Sequence, residues 1–132
     1  MPNPRYLTNE GEPTVELLQK LSLAKGIYLN NLPEFCDRHF FDVSDFLDIQ
    51  NVFLIGSHAE KRGWNNDTSD LDFKIVNPTV IPEHAWKYKR DVLDPMLKIG
   101  EKRRWVDLFF AREIYQVIEP KWSLIKYWNK DI

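Results

Sequence analysis

The amino-acid sequence predicts an α+β fold in which a small mixed β-sheet is flanked by helices. Two observations lead to this class. Three short apolar runs have strand length, at 51–55, 70–76 and 103–110, and the stretches around and between them have helical spacing. Since all three runs are short and bounded by turn-forming or charged residues, we expect strands of one sheet with helical connections.

Two helices are predicted before the first strand. The first spans 14–29, after Pro13, where apolar side chains recur at helical spacing: Leu17, Leu21, Ala24 and Tyr28. The second spans 33–47, where aromatic and acidic residues alternate irregularly. We expect both helices to pack on the sheet.

The first two strands are predicted from different patterns. Residues 51–55 (NVFLI) form an apolar run that stops at Gly56, which is typical of a buried strand. Residues 70–76 (DLDFKIV) alternate instead. Leu71, Phe73 and Ile75 point to one face, and Asp70, Asp72 and Lys74 point to the other.

The rest of the chain is predicted to add one strand and more helix. Residues 83–99 favour a helix that is kinked or divided at Pro95 and ends near Gly100. Residues 103–110 form a strand with three side chains on one face: Trp105, Asp107 and Phe109. A helix over 111–118 follows. An amphipathic tail, which we interpret as a docked terminal helix, carries Trp122, Leu124, Ile125 and Trp128.

Length and composition favour a single domain. The chain has 132 residues, of which 43% are hydrophobic, with five Trp that we interpret as core. We expect a core at 51–110, a helical N-terminal segment at 14–48 and C-terminal helices at 111–130. The single cysteine, Cys36, excludes an internal disulfide and a cysteine zinc cluster and is expected to fill the core.

Charge and hydropathy narrow the classes of partner. The net charge of −2 does not indicate nucleic acid, and no apolar run is long enough for a membrane span or a signal peptide, so we expect a soluble cytoplasmic protein. Five acids lie in 34–48, and seven Lys or Arg lie in 82–104. The basic stretch has two interpretations: solvated helix faces, or a flank for a phosphate-bearing ligand.

Carboxylates on neighbouring predicted strands suggest a metal site. Asp70 and Asp72 lie on one strand face ~7 Å apart, and two unpaired like charges there repel each other. Asp107 lies inside a later apolar strand. A divalent cation between carboxylates removes the repulsion, and a site of oxygen ligands without His or Cys suits Mg²⁺ or Mn²⁺. Solvated aspartates after a turn are the alternative interpretation.

Gly56 and Ser57 follow the first strand and suggest a phosphate site. Glycine allows a tight turn and a close approach of the backbone to a ligand. The Ser57 hydroxyl and the amides after it are groups that hold phosphate oxygens. A phosphate site beside carboxylates that bind metal is what transfer from a nucleoside triphosphate requires.

The order of these residues resembles the nucleotidyltransferase domain of the DNA polymerase β superfamily, and in particular its minimal nucleotidyltransferases. The resemblance covers roughly residues 51–110 and depends on Gly56-Ser57 at a strand end, Asp70-x-Asp72 and Asp107. It implies a nucleotidyltransferase fold, with Asp70, Asp72 and Asp107 as catalytic residues that bind Mg²⁺ or Mn²⁺. It also implies that Gly56 and Ser57 contact the triphosphate, ATP being the expected donor.

Two features depart from many small members of that family. His58 follows Ser57 where an arginine is common, and the loop from Ser57 to Asp70 is longer. His58 is expected either to contact phosphate or acceptor, or to be a loop side chain bonded to backbone. Lys61 and Arg62 are candidates to neutralise phosphate, or are simply exposed loop cations.

Three functions follow from the resemblance. The first is metal-dependent transfer of AMP, or another NMP, from the triphosphate to a hydroxyl acceptor. The second is an antitoxin-like protein that binds or adenylylates a helical toxin of the HEPN type. The third is a module that binds nucleotide without turnover.

Overall fold

The computed structural model describes residues 6–60, 70–98 and 105–130, and a four-stranded mixed sheet lies at its centre. The strands are β1 (Asn51–Ile55), β2 (Leu71–Val76), β3 (Val106–Ala111) and β4 (Trp122–Ser123). Their order is β3-β2-β1-β4, with β1 antiparallel to β2 and β4, and β2 parallel to β3. The mixed sheet with helices confirms the predicted class.

Alternation along the strands gives the sheet two unlike faces. Leu71, Phe73 and Ile75 of β2 are buried on one face, as predicted, beside Val106 and Leu108 of β3. The opposite face carries the charged side chains of both strands. The parallel register keeps side chains of the same orientation next to each other, so the polar residues of β2 and β3 share one face.

The N-terminal segment confirms one predicted helix and corrects the other. Helix α1 (Val15–Asn30) begins at Thr14, whose side chain accepts a hydrogen bond from the Leu17 amide at 3.2 Å. A single helix over 33–47 is wrong, because α2 (Leu32–His39) ends at Phe40 in the left-handed conformation, with φ of 59°. The next helix, α3 (Val43–Leu47), has its own cap at Asp42.

The connection from β2 to β3 is helical, as predicted, but its irregularity is a π turn before Pro95 and not a break at that proline. The short helix after β1 is α4 (Gly56–Glu60). The β2–β3 connection consists of α5 (Pro82–Tyr88), a wide π-helical turn (Lys89–Leu93) and α6 (Asp94–Met96). The Asp94 amide bonds back to the Lys89 carbonyl, five residues earlier. The helical path therefore continues through Pro95 without a sharp break. The predicted end near Gly100 lies outside the described residues.

A helix over 111–118 was expected, and this is wrong. Ala111 is the last residue of β3, and its carbonyl accepts a hydrogen bond from the Asn77 amide at 2.8 Å. Only a single 3₁₀ turn follows, at Ile114–Gln116. The Gln116 side chain accepts from the Arg112 amide at 2.9 Å and ends the strand. Residue 111 is therefore part of β3, paired with Val76 of β2, and not the start of a helix.

The tail is docked, but its first part is a strand. Trp122 pairs with Leu54 as part of β4 and donates its indole N–H to the Ala59 carbonyl at 3.3 Å. Helix α7 (Ile125–Trp128) then buries Trp128 against the ring of Tyr28. The prediction of a helix that begins at Trp122 is wrong, whereas the docking of the tail is confirmed.

One main hydrophobic cluster joins the helices to the apolar face of the sheet. Its members run from Tyr6 near the N-terminal end to Trp128 in α7, and buried Cys36 is one of them, as expected. The Tyr28 hydroxyl donates to the Phe46 carbonyl at 2.7 Å, which connects α1 to α3 inside this core. Within the described part of the chain, no helix is long and apolar enough to cross a membrane.

Candidate functional site

Asp72 and Asp107 are neighbours on the polar face of the sheet. They are partners in the parallel register of β2 and β3, where adjacent strands lie about 4.8 Å apart. Asp107 is only 7% exposed, and Asp72 is half-buried. The structure therefore brings together two of the three predicted carboxylates.

The pKa of Asp72 shows how the carboxylates influence one another. This pKa is raised from 3.8 to about 7, first by burial and then by the charges of Asp107 and Asp70, against a smaller lowering effect of Lys89. Asp70 directly precedes β2 and is partly exposed. All three carboxylates thus belong to one electrostatic cluster centred on Asp72.

Lys89 is the residue of this site that the sequence did not reveal. Its ammonium group lies 2.6 Å from Asp107 Oδ1 and 2.9 Å from Asp94 Oδ1. It comes from the π turn of the β2–β3 connection and belongs to the basic stretch 82–104. Both of these contacts are ion pairs with carboxylates, so the flank for a phosphate-bearing ligand stays a prediction.

Gly56 fixes the other side of the Asp72 carboxylate. Its φ is +74°, and a Cβ atom added there would lie 2.5 Å from Asp72 Oδ2. Ile55, the residue before it, is the β1 partner of Asp72. The backbone turn at the end of β1 therefore lies directly against the carboxylate, and only glycine fits it.

The other predicted phosphate contacts fall in different places. Ser57 lines an open cavity of about 380 Å³ together with Gly56, Lys74 and Ile118. His58 is 1% exposed, and its ring packs edge-on against Tyr6 at 4.7 Å between centroids. This core position puts His58 among the packing residues of α4 and not on the polar face. Lys61 and Arg62 lie outside the described residues.

The donor set fits a hard divalent cation by its chemistry. The charges of Asp107 and Asp70 add to the effect of burial on the pKa of Asp72, and a bound cation would offset that repulsion. Mg²⁺ and Mn²⁺ prefer such oxygen ligands. As placed, however, no group of three or more His, Cys, Asp or Glu within the described ranges is arranged to hold a metal ion. A shared metal site for Asp70, Asp72 and Asp107 stays a prediction.

Comparison with known proteins adds nothing to the functional assignment beyond the observations on the residues. No protein-family model, curated protein or solved structure matches the chain. The resemblance to nucleotidyltransferases therefore rests on the order of Gly56-Ser57, Asp70-x-Asp72 and Asp107 in the sequence.

Proposed function

We propose that the protein is a metal-dependent nucleotidyltransferase. It moves an NMP from a nucleoside triphosphate to a hydroxyl acceptor, and AMP is the NMP that we propose first. One observation supports this most strongly. Asp72 and Asp107 lie side by side on parallel strands, and the Gly56 turn closes directly against the Asp72 carboxylate. Two adjoining carboxylates beside a glycine turn suit a metal-bound triphosphate.

Each residue has a role in this proposal, by resemblance to the polymerase β superfamily. Asp72 would hold Mg²⁺ or Mn²⁺ together with Asp70 and Asp107, and the bound ion would neutralise charge on the phosphates. Asp107 would accept the proton of the acceptor hydroxyl. The hydroxyl oxygen bonds to the α-phosphorus as the bond from that phosphorus to the pyrophosphate oxygen breaks.

Gly56 and Ser57 have the binding role. The Gly56 turn lets the backbone come close to a ligand, and Ser57 faces the open cavity at the end of β1. Lys89 supports the same site from the π turn, because its ammonium group lies 2.6 Å from Asp107 Oδ1 and its charge lowers the pKa of Asp72. Most of the catalytic effect would come from positioning and charge neutralisation.

Labelled triphosphates test the proposal. The protein is incubated with Mn²⁺, labelled ATP, GTP, CTP or UTP, and a set of hydroxyl acceptors, and release of pyrophosphate is measured. Asp72→Asn and Asp107→Asn should each lower the rate on the order of 100-fold, because each removes a negatively charged ligand. Asp37→Asn, an exposed aspartate on α2, is the matched control and should leave the rate unchanged. Transfer that survives both site changes would contradict the assignment.

A second candidate is the antitoxin-like partner of a helical HEPN-type toxin. The segment that borders the Ser57 cavity exposes apolar side chains to solvent, among them Tyr115 and Ile118. Exposed apolar groups beside a candidate site are typical of a surface that binds another protein. Triphosphate binding without pyrophosphate release, together with a stable complex with such a toxin in gel filtration, would favour this candidate over the enzyme.

A further inference from the structure

A second cavity, of about 540 Å³, lies on the polar side of the sheet beyond the carboxylates. Three cationic side chains line it, Lys74 from β2, Lys89 from the π turn and Arg112 after β3. The lining also contains three aromatic side chains: Trp86, Phe109 and Phe110. Among the described residues, the lining contains no Asp or Glu. The cavity is therefore positively charged and partly apolar.

Phe109 has two ammonium groups over its ring. The Lys89 and Lys74 Nζ atoms lie 4.8 Å and 5.7 Å from the ring centroid. Lys74 is the β2 partner of Phe109, so strand register fixes this arrangement. A surface with an aromatic ring and adjacent cations suits a ligand that is apolar in its body and anionic at one end.

Two of the three cations form no ion pair with any carboxylate that the structure describes. Lys89 is paired with Asp94 and Asp107. Within the described part of the chain, neither Lys74 nor Arg112 forms an ion pair, and the Arg112 guanidinium instead donates to the Pro78 carbonyl at 2.9 Å. The unneutralised charge favours an anionic occupant.

Trp86 adds a second indication. The five tryptophans were expected in the core, but Trp86 is 57% exposed on α5 at the rim of this cavity. That expectation is wrong for Trp86. A large indole at the rim, with the Arg90 guanidinium 4.9 Å from its ring, extends the aromatic and cationic surface outward.

The cavity adjoins the proposed reacting groups. Phe109 and Asp107 point to the same face of β3 and are two residues apart, a distance of ~7 Å between Cα atoms. Lys89 touches both the cavity and Asp107. The volume is within the usual range for small-molecule sites, ~300–1,000 Å³. A molecule held over Phe109 would have its nearer end beside Asp107.

We propose that this cavity binds the acceptor of the transfer reaction, and that the acceptor is a small anionic molecule with an apolar or aromatic body. The assignment of the occupant as the acceptor rests on the proposed function, whereas the binding of an anion in this cavity does not depend on it. The anionic end lies with Lys74 and Arg112, and the hydroxyl end lies toward Asp107. The hydroxyl proton passes to the Asp107 carboxylate as the oxygen bonds to the α-phosphorus and pyrophosphate leaves.

Calorimetry with naphthalene-2-sulfonate, without metal or nucleotide, tests the binding. The sulfonate should bind at least about tenfold more tightly than the neutral naphthalene-2-sulfonamide, which has the same ring. Lys74→Met and Arg112→Met should each weaken sulfonate binding about fivefold. Lys126→Met is the matched control: Lys126 is exposed, lies 5.6 Å from the Tyr127 ring centroid and does not line the cavity. The Lys126→Met change should leave the affinity for the sulfonate unchanged.

Asp107→Asn tests the link between the cavity and the carboxylates. It removes one of the two partners of Lys89 and leaves the lysine charge in place, so sulfonate binding should tighten several-fold. Unchanged or weaker binding in this variant would overturn the acceptor assignment.

Three results of the binding experiment would overturn the inference: no sulfonate binding, equal affinity for the neutral analogue, or an equal loss in Lys126→Met. These outcomes are separate from those of the transfer assay. If transfer is absent and the sulfonate results hold, the proposed enzyme fails and the anion site stands. If transfer occurs and the sulfonate does not bind, this inference alone fails.

Discussion

At Gly56 the backbone conformation and the Asp72 carboxylate together exclude a side chain. The φ of +74° is unfavourable for any L residue with a Cβ, and a Cβ would lie 2.5 Å from Asp72 Oδ2. Because Ile55 is paired with Asp72, the turn cannot move away from the carboxylate without loss of strand pairing. A substitution at Gly56 should therefore affect both the stability of the fold and the geometry of the candidate site.

Gly56→Ala should lower the free energy of unfolding by about 1–3 kcal/mol and also reduce nucleotidyl transfer. Gly26 offers a matched control, since it lies inside α1 with no atom within 4 Å of an added Cβ. Gly26→Ala should raise the free energy of unfolding by about 0.5–1 kcal/mol. Urea unfolding measures both. Equal effects of the two changes would show that contact with Asp72 is not what constrains Gly56.

Lys89 shows why the sequence revealed the carboxylates but not their partner. Asp72 was predictable, because alternation along a strand fixes which face a side chain points to. Which residue of a helix faces a strand depends on the turns before it. Here a π turn, closed by the bond from the Asp94 amide to the Lys89 carbonyl, sets the direction of Lys89. Spacing alone does not encode that turn.

At the scale of the helical connection, Lys89 holds the π turn to β3. Lys89→Met would remove the ammonium group that lies 2.6 Å from the mostly buried carboxylate of Asp107 and would break the bond to Asp94. The free energy of unfolding should fall by about 2 kcal/mol, allowing for partial exposure of the pair. Lys87→Met, on the same connection and without a carboxylate contact under 4 Å among the described residues, should change it by less than about 0.5 kcal/mol.

A double variant separates loss of charge pairing from loss of packing. Lys89→Met with Asp107→Asn removes both charges of the pair, so it should be more stable than Lys89→Met alone in urea unfolding. An equal loss in the single and the double variant would mean that the lysine acts through contacts other than this ion pair, such as that of its ammonium group with the Phe109 ring.

Among the elements, those with one buried face were predictable and those set by packing were not. The strand at 51–55 followed from its apolar run, and the strand at 70–76 and helix α1 followed from periodicity. The break at Phe40 did not, because a phenylalanine that is 95% exposed and left-handed has no propensity for that conformation. The local signal for it was Asp42, which caps α3. Strand β4 was not predictable from the sequence pattern, because its two residues are too few to show an alternation.

The whole molecule is divided by its sheet into a packed side and an open side. The main core lies against one face, where Tyr28 of α1 contacts Phe110 of β3. The other face has a small apolar cluster of Phe53, Val76, Ala111 and Val117, beside the charged groups. Changes to the charged face therefore leave most of the core packing intact, so stability measurements report on the charges themselves.

Asp72 connects the open face to the stability of the whole molecule. Its pKa in the folded protein is about 7, against an ordinary value of 3.8, with burial as the largest cause. The folded state then binds the proton more tightly than the unfolded state. The stabilising effect of this proton is complete below about pH 4 and is lost as the pH rises through about 7.

Asp72→Asn keeps the shape of the side chain and removes its charge, so it should abolish this pH dependence. In metal-free buffer the variant should be the more stable protein at pH 8, and its advantage in free energy of unfolding should shrink by on the order of 1 kcal/mol between pH 8 and pH 5, after solvent screening. Urea unfolding at four pH values, with Asp37→Asn as the exposed control, measures the difference. If the difference between the variant and the unmodified protein is the same at pH 5 and pH 8, Asp72 titrates normally, and the repulsion that favours a bound cation at this site is absent.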